Sequence, residues 1–108
     1  MRADEFSALL ASAIAEMTSA RRRAFIEAKL VSPFRTRLRW EYGANEEFDA
    51  WVFADMGERD VVVQYCLGGH GALGSPWGIN FRDDEHFGQD SGWYRTLEDL
   101  VADWGVEA

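Results

Sequence analysis

The stretch FRTRLRWEYGANEEFDAWVFADMGERDVVVQYCL, residues 34–67, decides the fold. Phe34, Thr36, Leu38, Trp40 and Tyr42 alternate with Arg35, Arg37, Arg39 and Glu41, the period-2 pattern of a strand with one apolar face. Phe48, Ala50, Val52 and Ala54 then alternate with Asp49, Trp51, Phe53 and Asp55, and a third run spans residues 61–67. Gly43-Ala44-Asn45 and Met56-Gly57-Glu58-Arg59 supply turns. A loop at 44–46 pairs Tyr42 with Phe48, Trp40 with Ala50 and Leu38 with Val52. A loop at 56–59 pairs Ala54 with Val61, Val52 with Val63, Ala50 with Tyr65 and Phe48 with Leu67. Residues 77–82 form a fourth strand. This register makes one face continuous and apolar. It gathers Arg35, Arg37, Arg39, Trp51, Phe53, Val62, Gln64 and Cys66 on the other face.

Upstream, Phe6, Leu9, Leu10, Ala13, Ile14 and Met17 recur at helical spacing over residues 4–18. Ser19 can cap a second helix running through Leu30, with Pro33 ending whatever helix is present. One long helix and two short ones both satisfy the pattern, and the stripe is the natural cover for the apolar sheet face. Downstream, Thr96 and Asp99 have capping-box spacing before Leu97, Leu100, Val101 and Trp104, and Gly105 stops this short helix. The expectation is one α+β domain over residues 1–108: an N-terminal helix or helices, a four-stranded antiparallel β-meander and a short C-terminal helix. That helix also has to dock on the sheet, with part of the mixed face as one place for it.

With 108 residues, 47% of them hydrophobic and 14% aromatic, the chain can fill a core. Its net charge of −8 argues against a general DNA or RNA binder, which needs surplus Lys and Arg for phosphates. The charge is polarised: residues 1–45 hold 8 basic and 5 acidic side chains, residues 46–108 hold 3 and 14. No secretory signal or membrane-length apolar run is read, and the lone Cys66 cannot form an internal disulfide, so a cytoplasmic protein is expected. Cys66 reads as a small buried hydrophobe, with a reactive thiol as the alternative.

Enzymatic motifs are lacking. The Gly-rich segment 67–76 precedes a strand rather than a helix, so it reads as a hairpin connection or a partner-contacting loop before a phosphate loop. Cys66 and His70 need not meet. Asp83, Asp84, Glu85, His86 and Asp90 miss EF-hand spacing and read as a solvated acidic turn or a contact surface for a basic partner. The Arg35, Arg37 and Arg39 row has internal pairing with the acidic second strand as its plain reading. No catalysis, metal or cofactor is expected.

The stretch PWGINFRDDEHFGQDSGWYRTLEDL, residues 76–100, sets Trp77-Gly78, Phe87-Gly88 and Gly92-Trp93-Tyr94 ahead of a short capped helix. With the size and acidity of the chain, it resembles the small, acidic, Trp-rich immunity proteins that bacteria encode beside polymorphic or contact-dependent toxins. The resemblance implies a cognate toxin as partner, such as a nuclease whose basic cleft an acidic surface plugs. The contact residues expected from charge and aromaticity are Asp83, Asp84, Glu85 and Asp90, then Trp51 and Phe53 as exposed anchors. The competing expectation is a small-molecule-binding domain or enzyme in which Arg37, Arg39 and Gln64, beside Trp51 and Phe53, hold a flat anionic ligand such as a nucleotide. Neither expectation involves nucleic acid strands or a membrane, and the chain is expected to be a monomer or a weak homodimer.

Overall fold

A computed structural model describes residues 1–42, 46–58, 60–88 and 90–108, without the side chain of Asp90. The turn at residues 43–45 and Arg59 of the next turn therefore lie outside the described residues. Two helices open the chain, α1 (Ala3–Ala15) and α2 (Ala20–Glu27). Ser19 caps the second by accepting from the Arg22 N–H at 3.2 Å. The second helix stops at Glu27 instead of reaching Leu30, and Pro33 lies inside the first strand rather than ending a helix.

The sheet has five antiparallel strands in chain order: β1 (Leu30–Arg39), β2 (Glu47–Asp55), β3 (Val61–Tyr65), β4 (Trp77–Phe81) and β5 (Trp93–Tyr94). The meander is thus one strand longer than the four expected, because Trp93 and Tyr94 pair with Gly78 and Trp77. Two residues carry no readable periodicity. The short helix α3 (Leu97–Asp103) follows, capped by the Thr96 hydroxyl, which accepts from the Asp99 N–H at 3.0 Å.

Register departs from expectation in two instructive ways. Leu38 pairs with Phe48, Thr36 with Ala50 and Phe34 with Val52, a slip of four residues that leaves every side chain on its expected face. Between β2 and β3 the slip is odd. Trp51 pairs with Tyr65 and Val52 with Gln64; a bulge follows, and Ala54 pairs with Val63. An odd slip turns a strand over. Trp51 and Phe53 consequently share a face with Val61, Val63 and Tyr65, and that is the face the helices cover. Phe6 of α1 stacks on Trp51 (ring centroids 5.3 Å apart) and packs against Phe53 and Tyr65. Leu97, Leu100 and Val101 place α3 in the same core, on the Trp51 and Phe53 side of the sheet as allowed for, whereas the N-terminal helices, expected over the face of Leu38 and Ala50, also lie on this side.

Glu98 ties α3 to α2 and to the connection that follows α1. Its Oε1 accepts from the Thr18 N–H (2.8 Å), the Thr18 hydroxyl and the Ser19 N–H, while Oε2 meets Arg22 at 3.2 Å.

The opposite sheet face carries a second core of Leu38, Ala50, Cys66, Phe87 and Trp93. Its cover is the strap at residues 82–88. The Glu85 carbonyl accepts from the Arg39 N–H of β1 (2.6 Å), and the His86 carbonyl accepts from the Asn80 side chain of β4 (2.7 Å). On a flat sheet β1 and β4 lie three spacings, roughly 14 Å, apart. Consecutive carbonyls can reach both only if the sheet curls around this face, with Phe87 filling the hollow. The Phe87 carbonyl also accepts from the Trp93 indole N–H at 2.7 Å. Gly78 lets that indole lie flat on β4, since a Cβ there would meet it at 2.6 Å.

Removing the plug should be costly. Phe87→Ala is expected to lower unfolding free energy by about 3–5 kcal/mol, read as a lower urea midpoint. Burial alone would push the Glu98 carboxyl up, but its bonds from Thr18, Arg22 and Ser19 outweigh that and hold it below the usual carboxylate range. A lowered native pKa gives stability above the unfolded value near 4.5 that is lost as pH falls through the native one. Glu98→Gln should therefore melt lower than wild type at neutral pH, the gap closing as pH drops below about 4.5.

Candidate functional site

Most arginines are used internally. Arg37 reaches Glu47 (3.3 Å) and Asp49 (3.4 Å), Arg39 reaches Glu47 (3.5 Å), Arg82 pairs with Asp55 and Arg22 with Glu98. Arg35 lies over the Trp51 ring at 5.0 Å and donates to the Met1 carbonyl. Cross-strand pairing with the acidic second strand thus accounts for Arg37 and Arg39, and stacking on Trp51 for Arg35. Each exposed pair adds little stability, but together the pairs neutralise the basic side chains.

The residues proposed from sequence are not one constellation. Trp51 and Phe53 are 8% and 0% exposed, enclosed under α1, so they are core side chains and not exposed anchors. The odd slip and bulge in β2 are the reason. Gln64, 1% exposed, pairs with Val52 on the strap side, whereas Arg37 lies on the Trp51 side. Arg37, Arg39 and Gln64 therefore do not line a common pocket. The helix-side recess near the arginines holds about 180 Å³ and is lined by Met1, Arg35, Asp49, Trp51, Tyr65 and Leu67.

The acidic turn fares differently. Asp83 and Glu85 are exposed, and neither forms an ion pair among the described residues. Asp84 is half-buried and accepts from the His86 N–H at 3.0 Å. The bond from Arg39 to the Glu85 carbonyl fixes the backbone here, so the carboxylates project from an anchored segment. Asp90 begins the short 3-10 turn Asp90–Gly92, and its side chain is outside the described residues.

Neither Cys66 nor His70 is placed as a nucleophilic pair. The Cys66 Sγ donates to the Asp49 carbonyl at 3.4 Å, and burial pushes its thiol up to about 11. His70 belongs to a 3-10 turn, Gly69–Leu73, inside the Gly-rich segment. Its ring packs edge-on against Trp40 (4.8 Å), lies 5.9 Å from both Phe87 and Trp93, and its Nε2 lies 3.4 Å from the Gly88 carbonyl. The glycines serve packing: a Cβ on Gly69 would meet Phe87 and Trp40, and one on Gly71 would meet the Cys66 carbonyl at 1.9 Å. No group of three or more His, Cys, Asp or Glu among the described residues could hold a metal ion.

Sequence reasoning missed a cluster at the β1–β2 end. Trp40 packs edge-on against both Tyr42 (5.1 Å) and Phe87 (5.4 Å). The neighbouring Glu41 accepts from the Gly88 N–H at 3.0 Å. Trp40 and Tyr42 read as ladder residues because they keep the strand's alternation. The only hint against that was the Gly68-Gly69 pair, which makes room for Phe48 and Trp40.

In the native protein the Cys66 thiol should resist a water-soluble disulfide reagent at pH 8 and react fully in denaturant. A thiol raised from 9 to about 11 gives stability present below pH 9 and lost as pH rises through about 11, on the order of 2–3 kcal/mol. Cys66→Ala should flatten that alkaline limb in pH-dependent denaturation. Comparison with protein-family models, with curated proteins and with solved structures finds no match for this chain.

Proposed function

We propose that this chain is a protein-binding module that neutralises a basic protein partner, in the manner of the acidic immunity proteins it resembles, by covering the partner's cationic surface. The observation that carries this reading is the unequal fate of the charges. Arg22, Arg37, Arg39 and Arg82 are each paired with a carboxylate of the fold, whereas Asp83 and Glu85 stand exposed on a backbone-anchored turn. A fixed carboxylate turn on a body of net charge −8 accelerates encounter with a cationic surface and repels nucleic acid. Such a module works by occlusion and needs no catalytic group or cofactor.

On the Arg and Trp face, the small-ligand reading keeps one supporting observation, the recess beside Arg35 and Trp51. At about 180 Å³ it is below the roughly 300–1,000 Å³ of usual ligand sites. Asp49 in its lining opposes an anion, and the Arg35 guanidinium already serves Met1.

The test begins with the protein immobilised at low salt and exposed to lysate of its own source. One basic protein should be retained in near-stoichiometric yield. Asp83→Lys with Glu85→Lys should then weaken binding of that purified partner by about 100-fold or more, since like-charge juxtaposition costs several kcal/mol. Stability should change by no more than about 0.5 kcal/mol, as expected for exposed positions. Unchanged affinity in the double reversal rules out the acidic turn as the contact. A thermal shift with nucleotides and no retained protein transfers the case to the recess.

A further inference from the structure

Beyond the acidic turn, an exposed aromatic surface at the β1–β2 end is left uncovered by the described residues. Tyr42 is 69% exposed, seated edge-on against the half-buried Trp40 and 6.5 Å from His70. Leu73, in the same turn as His70, is 74% exposed. The carboxylates without an ion-pair partner near this surface are Glu41, Glu46 and Glu85 among the described residues. The Glu41 carboxylate accepts from the Gly88 N–H, and backbone bonds tie the Glu46 carbonyl to the Trp40 N–H and the Glu85 carbonyl to the Arg39 N–H, which sets the backbone of all three residues beside Trp40. None of these three carboxylates forms an ion pair among the described residues, and the nearby Arg37 and Arg39 are occupied by Glu47.

We propose that Tyr42, backed by Trp40, is the anchor of the docking surface and takes an arginine side chain of the basic partner over its ring, among Glu41, Glu46 and Glu85. An aromatic face attracts a cation through its quadrupole, and the planar, weakly hydrated guanidinium stacks on it better than an ammonium. The carboxylates supply acceptors for guanidinium N–H groups at the ring's rim. Tyrosine is also a residue type that concentrates binding energy at interface centres, where charged rims keep register. A second copy of this chain is a poor occupant, since it brings net charge −8 to a surface of the same sign. The inference rests on the basic-partner reading and adds the side chain recognised and the place where it sits.

The experiment is a titration of the full chain with N-acetyl-arginine amide, followed by proton–nitrogen correlation spectra with the indole signals assigned. Saturable shifts are expected at the Trp40 indole N–H and the Tyr42 amide. N-acetyl-lysine amide should bind about 3–10-fold more weakly. Tyr42→Ala and Glu85→Gln should each weaken the arginine response by about threefold or more, while Glu16→Gln on α1 leaves it unchanged. Tyr42 is exposed, so its loss leaves the core intact, and Tyr42→Phe should retain the response. Equal, non-saturating shifts at every exposed carboxylate overturn the proposal, as does absence of shift at Trp40 and Tyr42. Shifts that depend on protein concentration without the probe show a second copy on the surface and also overturn it. Failure at Tyr42 leaves the charge-reversal result at Asp83 and Glu85 standing. A saturable arginine response supports the anchor even if no basic protein is retained by the immobilised chain.

Discussion

The tie that residues 85 and 86 make between β1 and β4 is the constraint on which the strap side of the fold depends. Two consecutive carbonyls, one accepting from Arg39 and the other from Asn80, hold the sheet curled. A curled sheet leaves a hollow, and Phe87 fills it against Leu38, Ala50, Cys66 and Trp93. The same tie presents the carboxylates of the preceding turn, because Glu85 belongs to both. Fold and candidate contact surface thus share one stretch of backbone.

The two faces of the sheet divide the labour. The helix side is an aromatic core of Phe6, Trp51, Phe53, Tyr65 and Trp77, closed by α3 and by the Glu98 hub. The strap side combines a smaller core with polar groups. Asn80 is satisfied by the strap, and the Gln64 Oε1 has no partner among the described residues. A buried unpaired carbonyl costs stability, which makes the tight closure by Phe87 and Trp93 more necessary.

How much was legible in the sequence varies with the kind of signal. Helix and strand positions followed from periodicity, and Ser19 and Thr96 cap the helices they were expected to cap. The acidic turn was also legible, since charged side chains near Asp83 stay in water whatever the register. Register was harder. A slip by an even number preserves the face, so alternation could not distinguish Leu38 opposite Phe48 from Leu38 opposite Val52. The bulged, odd-numbered slip between β2 and β3 turned Trp51 and Phe53 inward, and nothing in the alternation of β2 signals it. The strap is built from tertiary hydrogen bonds between distant residues and has no period to detect. The Glu98 hub, joined to residues about eighty positions away, was invisible for the same reason.

β1 is the outermost strand, and its free edge has consequences for life at high concentration. Arg39 directs its N–H and carbonyl outward to the strap, so alternation turns those of Arg37 and Arg35 outward too. A second chain adding antiparallel across these two residues would set arginine against arginine, and Pro33 beyond them has no N–H to offer. The strap already occupies the far end. The free part of this edge is therefore short and blocked on both sides, a built-in resistance to the strand-by-strand growth that turns crowded β-proteins into fibres.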